Sequence, residues 1–163
     1  MGLPVATSGL ALTLDKARDL MSNITAFQTI VGAASAAAAK ARIYMIGVPS
    51  DPDRPFCLVD FMDRAYTRDT HNGFRLDGKI IFWFEFPVSD DYVDSHNDAW
   101  LEFFNRIGDI EAGIKALSNT SGYQEYSSIM VDPASLERTS KEDRQGGHVD
   151  VISGAILCEY WGV

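Results

Sequence analysis

The sequence predicts an α+β fold: a single domain in which a mostly antiparallel or mixed β-sheet is packed by two main amphipathic helices. A length of 163 residues suits one domain that buries its own core without disulfide bridges. Hydrophobic residues make up 46% of the chain, as in globular proteins. Strand-like and helix-like patterns also alternate through the C-terminal half, in the order strand, long helix, strand, polar loop and strand.

The N-terminal region is predicted to contain an arm, a long helix and a short helix. Residues 1–12 are small and apolar without a period, which is typical of a flexible arm. Apolar residues then recur every three or four positions over 14–31, which predicts an amphipathic helix with Thr13 as its N-cap. Gly32 favours a helix end, and the alanine-rich run 33–41 predicts a second, short helical piece.

Three strands are predicted before the second long helix. Residues 43–48 form a short β-type run, 56–66 alternate in hydrophobicity, and 79–88 are rich in aromatic residues. Turn signals occur at 71–73 and at 77–78; both suit a hairpin, and the sequence does not choose between them. Apolar side chains on both faces of 79–88 predict a central strand covered on two sides, or one with a face pressed onto another chain.

A second long helix is predicted over residues 94–118, with Asp94 or Ser95 as its N-cap. Gly108 and Gly113 lie inside this helix. Each glycine costs about 1 kcal/mol relative to alanine in a helix, which indicates close packing against a backbone. The apolar stripe of the helix comprises Trp100, Phe103, Phe104, Ile107, Ile110, Ile114 and Leu117.

Two further strands, at 123–131 and 148–161, are predicted to complete the sheet, separated by a long polar loop at 132–147. A structureless loop of this length inside a compact domain is usually functional or disordered. Basic and acidic side chains are interspersed in it, so it suits either a partner-binding surface or a merely solvated one. The candidate partner-binding residues are Glu137, Arg138, Lys141 and Arg144.

Charge and cysteine content limit the classes of partner. Fourteen Lys and Arg against 23 Asp and Glu give a net charge of −9, which lacks the basic surface that phosphate contacts need. Specific nucleic-acid binding is therefore not expected, although an acidic surface also suits a passage through which DNA slides. No window approaches the ~18 apolar residues of a membrane span, and residues 1–14 lack the basic start of a signal peptide. Cys57 and Cys158 are expected to be reduced, buried thiols.

No pattern in the chain predicts catalytic, metal or cofactor chemistry. The densest cluster of potential ligands, at 90–98, holds four aspartates and His96 but lacks the spacing of calcium loops and zinc helices. Carboxylates at a helix N-terminus also complement the helix dipole without an ion, which is the interpretation we favour. His71 and His148 lie far in sequence from any nucleophile motif, so an active site would require dispersed residues. We therefore expect a protein that is not an enzyme and has no cofactor.

Four segments resemble the tail terminator proteins of long-tailed bacteriophages, in particular the lambda type. They are GKIIFWFEFPV at 78–88, AWL at 99–101, SGY at 121–123 and AILCEYW at 155–161. The order of helices and strands supports the same resemblance over most of the chain. This chain is longer than the lambda protein, chiefly at 33–41 and 49–75.

The resemblance implies a virion subunit that is assembled in the host cytoplasm and has no membrane partner. Six copies are then expected to close into a ring that caps the tail tube and provides the head-joining surface. The implied partners are other copies of the chain, the tail tube protein and the head–tail connector protein, with DNA passing through without specific binding. The loop 132–147 is expected to order on binding.

Two alternatives to a tail terminator stay open. Within the same class, a neighbouring connector or a minor tail protein is the nearest competitor. From a different class, the alternative is a small α+β ligand-binding domain or enzyme with a dispersed pocket, enclosed by the aromatic strand and the helix stripe.

Overall fold

A five-stranded mixed sheet and four helices make up the described part of the chain, which confirms the predicted α+β class. The computed structural model of the protein describes residues 9–69, 73–123, 126–143 and 145–161. The helices are α1 (Gly9–Ser22), α2 (Thr25–Ile30), α3 (Ala36–Lys40) and α4 (His96–Ser118), and a 3₁₀ turn spans Asp90–Tyr92. The strands are β1 (Ile43–Met45), β2 (Phe56–Asp69), β3 (Gly73–Pro87), β4 (Tyr126–Glu142) and β5 (His148–Trp161). Their order across the sheet is β1-β2-β3-β5-β4; β1 runs parallel to β2, and all other neighbours are antiparallel.

Strand β3 occupies the centre of the sheet, between β2 and β5, as its two apolar faces predicted. Ile80, Phe82, Phe84 and Phe86 lie on the helix-covered face and are almost fully buried. Each side chain of this size stabilises the fold by roughly 1.5–3 kcal/mol when it is removed from water. Burial of this row therefore determines which face of the sheet the helices cover.

The hairpin between β2 and β3 forms at the first of the two predicted turns. Asp69 pairs with Gly73, so the connection falls at 70–72, outside the described residues. Asp77 and Gly78 lie within the ladder instead, paired with residues of β2. A connection at 70–72 gives longer strands, and so more interstrand hydrogen bonds, than a turn at 77–78.

The helices lie on one face of the sheet and divide it between them. Helix α1 packs over β1, β2 and β3 with α3 against it, whereas α4 packs on β4 and β5. Of the two predicted N-cap residues of α4, Ser95 occupies the position, although its side chain makes no capping hydrogen bond. The predicted short helix is confirmed as α3. In α3 the hydroxyl of Ser35 accepts a hydrogen bond of 3.2 Å from the backbone N–H of Ala38.

The first long helix is interrupted, so residues 14–31 form two helices instead of one. Between α1 and α2, Ile24 has extended backbone angles (φ −82°, ψ 114°) and a buried side chain. The Gln28 side-chain amide donates to the carbonyl oxygen of Ser22 at 2.8 Å and so satisfies an acceptor at the end of α1. The break directs Ile24 toward α4.

The glycines of α4 differ in their surroundings. A Cβ at Gly113 would lie 2.6 Å from Cγ2 of Ile24, so the predicted close packing is confirmed there, although its neighbour is a side chain and not a backbone. A Cβ at Gly108 would meet nothing within 4 Å. The close packing predicted for Gly108 is therefore wrong, because that residue faces outward.

The predicted arm at 1–12 is partly wrong. Helix α1 begins at Gly9, so 9–12 are helical, and 1–8 lie outside the described residues. Thr13 does not cap the helix; its hydroxyl donates to the carbonyl oxygen of Gly9 at 2.7 Å, one turn earlier. The small apolar residues of this stretch are compatible with a helix once a neighbouring core covers them.

The predicted long loop at 132–147 is wrong, because β4 extends to Glu142 and leaves only a short turn before β5. Two bulges interrupt the pairing, between Ser127 and Met130 and between Asp132 and Glu137. The second bulge accommodates Pro133, which has no N–H to donate.

Side chains replace the missing backbone pairs at this bulge. The hydroxyl of Ser135 donates to the carbonyl oxygen of Asp132 at 2.6 Å and accepts from the N–H of Ala155 at 2.7 Å. The turn after β4 is closed by Asp143, whose carboxylate accepts from the N–H groups of Gln145 and Gly147, both at 2.8 Å. Polar residues in this segment thus support an edge strand and a tight turn.

A polar contact at Asp19 joins α1 to α3 and to the segment after α4. Its carboxylate accepts a hydrogen bond of 2.6 Å from the Tyr123 hydroxyl and lies 2.9 Å from Nζ of Lys40. Partial burial raises the pKa of Asp19, but the Tyr123 hydrogen bond and the charge of Lys40 outweigh it and lower the pKa below its usual value.

Replacing Gly113 with alanine is expected to lower the free energy of unfolding by about 1–2 kcal/mol, because the new methyl group overlaps the buried Ile24 side chain. The matched control is Gly108→Ala, which meets open space and should raise the free energy of unfolding by up to about 1 kcal/mol through helix propensity. Urea denaturation measures both. A stabilising Gly113→Ala variant would contradict the packing.

Replacing Asp19 with asparagine is expected to make stability less dependent on pH in acid. Because the folded-state pKa lies below the unfolded value of about 3.9, the carboxylate stabilises the fold above that pH. The stabilisation disappears as the pH falls through the folded-state pKa. Urea denaturation between about pH 5 and about pH 3 should show the wild type losing more stability than the variant. Equal losses would show that the contact does not stabilise the fold.

Candidate functional surfaces

The predicted partner-binding residues do not form one surface in the structure. Arg138 donates from Nε and Nη2 to Oδ2 of Asp150, at 3.1 and 2.6 Å, and from Nη2 to the carbonyl oxygen of Val93 at 3.0 Å. The hydrogen bond to Asp150 raises the pKa of Arg138. Glu137 is exposed, and Arg144 lies outside the described residues. Arg138 therefore ties β4, β5 and the segment before α4 together, and its binding of a partner stays a prediction.

Lys141 belongs to an ionic cluster around the buried Glu85, on the face of the sheet opposite the helices. Glu85 is 3% exposed at the centre of this cluster. Nζ of Lys141 lies 3.7 Å from Oε1 of Glu85, and Nε of Arg54 lies 3.6 Å from Oε2. The cluster connects the β1–β2 loop, β3 and β4. A buried carboxylate of this kind is tolerable only beside opposite charges.

A cleft of about 380 Å³ lies next to the cluster, between the β1–β2 loop and the β4–β5 turn. Its charged lining residues are Asp51, Asp53, Arg54 and Asp143. Asp143 is already engaged by the backbone of its own turn. Among the described residues, no group of three or more His, Cys, Asp or Glu side chains is arranged to hold a metal ion.

The acidic cluster at the start of α4 is a solvent-exposed helix terminus. Asp98 accepts a hydrogen bond from the hydroxyl of Ser95, and the ring of His96 packs edge-on against Trp100 at 6.4 Å. The remaining members, Asp90, Asp91 and Asp94, are exposed. Asp98 lies in the first turn of α4, where its charge complements the helix dipole.

The histidines and cysteines do not form a common site in the described part of the structure. His148 is exposed at the start of β5, and His71 lies outside the described residues. Both cysteines are buried and free, as predicted. Burial raises the pKa of Cys57 well above its usual value, and burial together with the charge of Glu111 raises the pKa of Cys158 to about 12. Both thiols are thus protonated at neutral pH and unlike reactive nucleophiles.

Two groups of large apolar side chains are exposed on separate parts of the subunit. The first, which we call the α4 patch, consists of Tyr92, Leu101 and Phe104. Leu101 is 59% and Phe104 44% exposed. Tyr92 and Leu101 flank a shallow groove of about 290 Å³. The Phe104 ring stacks on Trp100 at 5.7 Å, which holds it in place on the helix surface.

The second group, which we call the β1 patch, consists of Met45, Ile46 and Val48 at the end of β1. Ile46 is 63% exposed and has a φ of 68°, an unfavourable value for a β-branched residue. Its N–H donates to the carbonyl oxygen of Val59 at 2.9 Å, which maintains this conformation. The strained backbone presents an apolar side chain to solvent.

The sheet has two edges of different character. At the β1 edge, Arg18 donates to the carbonyl oxygens of Ile43 and Lys40, at 3.1 and 2.9 Å, and so occupies part of a strand of three residues. At the other edge β4 is 17 residues long and carries both bulges. Bulges and charged residues limit uncontrolled pairing along an edge strand.

Comparison with known proteins gives no family: no protein-family model matches the chain, and a search of curated proteins finds no match. Within the described residues, none of the helices is long and apolar enough to cross a membrane.

The sequence alone could not locate these surfaces. The sequence indicates the apolar stripe of α4. It does not show that Phe103 is buried whereas Phe104, the next residue of the stripe, is exposed. A hydrophobic period identifies the apolar face of a helix. It does not show which residues of a wide apolar face contact the core and which remain exposed at its margin. Nothing in the local sequence marks the left-handed conformation of Ile46.

Replacing Glu85 with glutamine is expected to lower the free energy of unfolding by about 2 kcal/mol, because Arg54 and Lys141 then lack a counter-charge. This loss of stability should be smaller than for a fully buried ion pair, because the side chain of Lys141 is partly exposed to solvent. Urea denaturation is the measurement. The control is Glu137→Gln on exposed β4, expected within about 0.5 kcal/mol of wild type. Unchanged stability of the Glu85 variant would show that the cluster is not stabilising.

Proposed function

We propose that the protein is a structural virion assembly protein of the tail terminator type, which caps the phage tail tube as a ring and provides the head-joining surface. The observation that best supports this proposal is the exposure of two groups of apolar side chains, the α4 patch and the β1 patch, on one acidic subunit. Exposed apolar surfaces that are rimmed by polar residues commonly mark sites of association between proteins. The resemblance to phage tail terminators supplies the particular assembly.

In this proposal the protein makes and breaks no covalent bond. Its function is association, in which apolar surface leaves water at each subunit boundary. A buried leucine or phenylalanine contributes roughly 1.5–3 kcal/mol, so a few such residues at each boundary stabilise a multi-subunit ring. Contacts between two different surfaces of identical subunits close into a ring when the rotation between neighbours allows it. Six subunits are proposed from the resemblance.

The net charge of −9 fits the proposed passage of DNA through the ring. Phosphates are not attracted to an acidic wall, so DNA is not retained there. The proposed partners are other copies of the chain, the tail tube protein on one side and the head–tail connector protein on the other. The proposed location is the virion, with assembly in the host cytoplasm.

A second function is favoured by the cleft beside Arg54 and Glu85, whose volume falls in the range of small-molecule sites. In that case the protein is a ligand-binding domain or enzyme with a dispersed pocket. Four of the eight residues that line the cleft are charged, whereas ligand sites are usually lined by apolar and aromatic side chains. The lining is therefore less typical of a ligand site.

Electron microscopy of negatively stained protein, combined with light scattering during size-exclusion chromatography, tests the proposal. We expect concentration-dependent self-association and ring-shaped particles with six-fold symmetry, since the exposed apolar patches are buried only between subunits. A protein that stays monomeric at every concentration, and whose melting temperature rises with a small metabolite, would favour the cleft instead.

A further inference from the structure

The two exposed apolar patches lie on different elements of the subunit, associated with different edges of the sheet. The β1 patch follows the strand at one edge of the sheet, where α1 and α3 also pack. The α4 patch lies on the helix that packs over β5 and β4 at the other edge. A copy that uses one patch for a contact therefore keeps the other patch free.

The segments that carry the two patches differ in charge. Residues 9–48, which contain α1, α3 and the β1 patch, hold four basic and two acidic residues, of which Lys40 and Asp19 are paired at 2.9 Å. Residues 89–111, which contain the α4 patch, hold seven acidic residues and one arginine. That arginine, Arg106, is paired with Glu102 at 2.7 Å, and Glu111 is paired with Lys115 just beyond the segment. Five acidic residues of the segment lie outside these two pairs.

Two cations near the start of β1, the strand that leads to the β1 patch, keep their charge while being held in position. Arg18 donates to the carbonyl oxygens of Ile43 and Lys40, and Arg42 donates to the carbonyl oxygen of Pro55 at 3.3 Å. A carbonyl oxygen orients a guanidinium without cancelling its charge. On the acidic side, Asp109 is exposed and lines the groove of the α4 patch together with Tyr92 and Leu101.

We propose that the occupant of the α4 patch is a second copy of this chain, docked through its β1 patch. This deepens the proposed function and rests on it. Contact between the apolar side chains supplies affinity, and the basic and acidic surroundings set the orientation. A contact between two α4 patches would bring two acidic segments together, and a contact between two β1 patches would bring Arg18 and Arg42 of both copies together. The charges therefore select the head-to-tail arrangement.

Gly108 is consistent with a partner on this side of α4. It continues the exposed face of Leu101 and Phe104 by one turn, and a Cβ there would meet nothing within the subunit. Glycine costs about 1 kcal/mol in a helix interior. The subunit itself gives no packing reason for that cost, whereas a second copy that approaches the helix closely does.

Complementation between two single-patch variants tests the arrangement. Leu101→Asp disables the α4 patch and Val48→Asp disables the β1 patch. Because both side chains are exposed, neither substitution should disturb the fold, and an unchanged melting temperature of each variant verifies this. Each variant alone should self-associate roughly thirtyfold or more weakly than wild type. An equimolar mixture should form dimers and nothing larger, because each pair joins one intact β1 patch to one intact α4 patch. Sedimentation velocity measures all of these species.

The control variant is Met130→Asp on β4, which is exposed and lies outside both patches; it should assemble like wild type. Wild-type rings together with a mixture that stays monomeric would overturn the head-to-tail pairing and leave the assembly function intact. Assembly by either patch variant alone at the wild-type affinity would overturn it in the same way. A wild type that never associates would overturn both proposals.

Discussion

Burial of β3 on its helix-covered face is the constraint on which the rest of the structure depends. Ile80, Phe82, Phe84 and Phe86 form one continuous row between the neighbouring strands and beneath the helices. Because side chains alternate along a strand, a slip of one residue would move the whole row to the other face. The row thus sets the register of β2 and β5, and through it the positions of α1 over β1, β2 and β3 and of α4 over β4 and β5.

The same alternation explains why a charged group is buried at the centre of the sheet. Glu85 lies between Phe84 and Phe86, so it is carried to the face away from the helices. There Arg54 and Lys141 approach from two different segments. An ionic cluster of this kind contributes less than apolar packing would, but removal of one partner leaves a buried charge without compensation.

The helices cover different parts of one face of the sheet, and the surface charges are separated in the same way. Basic residues accompany α1, α3 and β1, whereas acidic residues accompany the start of α4. A net charge of −9 distributed in this way is polarised, and polarised subunits associate more readily head to tail than face to face. The proposed pairing of patches rests on this polarity, whereas the proposed ring rests on the resemblance.

Local sequence patterns determined most of the helices and strands of this protein, because hydrophobic periods and caps act over a few residues. They predicted α4, α3, the central position of β3 and the buried cysteines. They failed for the break at Ile24, which is stabilised by space beside Gly113 of a distant helix, and for β4, whose bulges disrupt the alternation that marks a strand. Only the tertiary structure decided which charges meet, which apolar residues of α4 stay exposed and how Ile46 is oriented, since each depends on strand register and on packing between residues far apart in the chain.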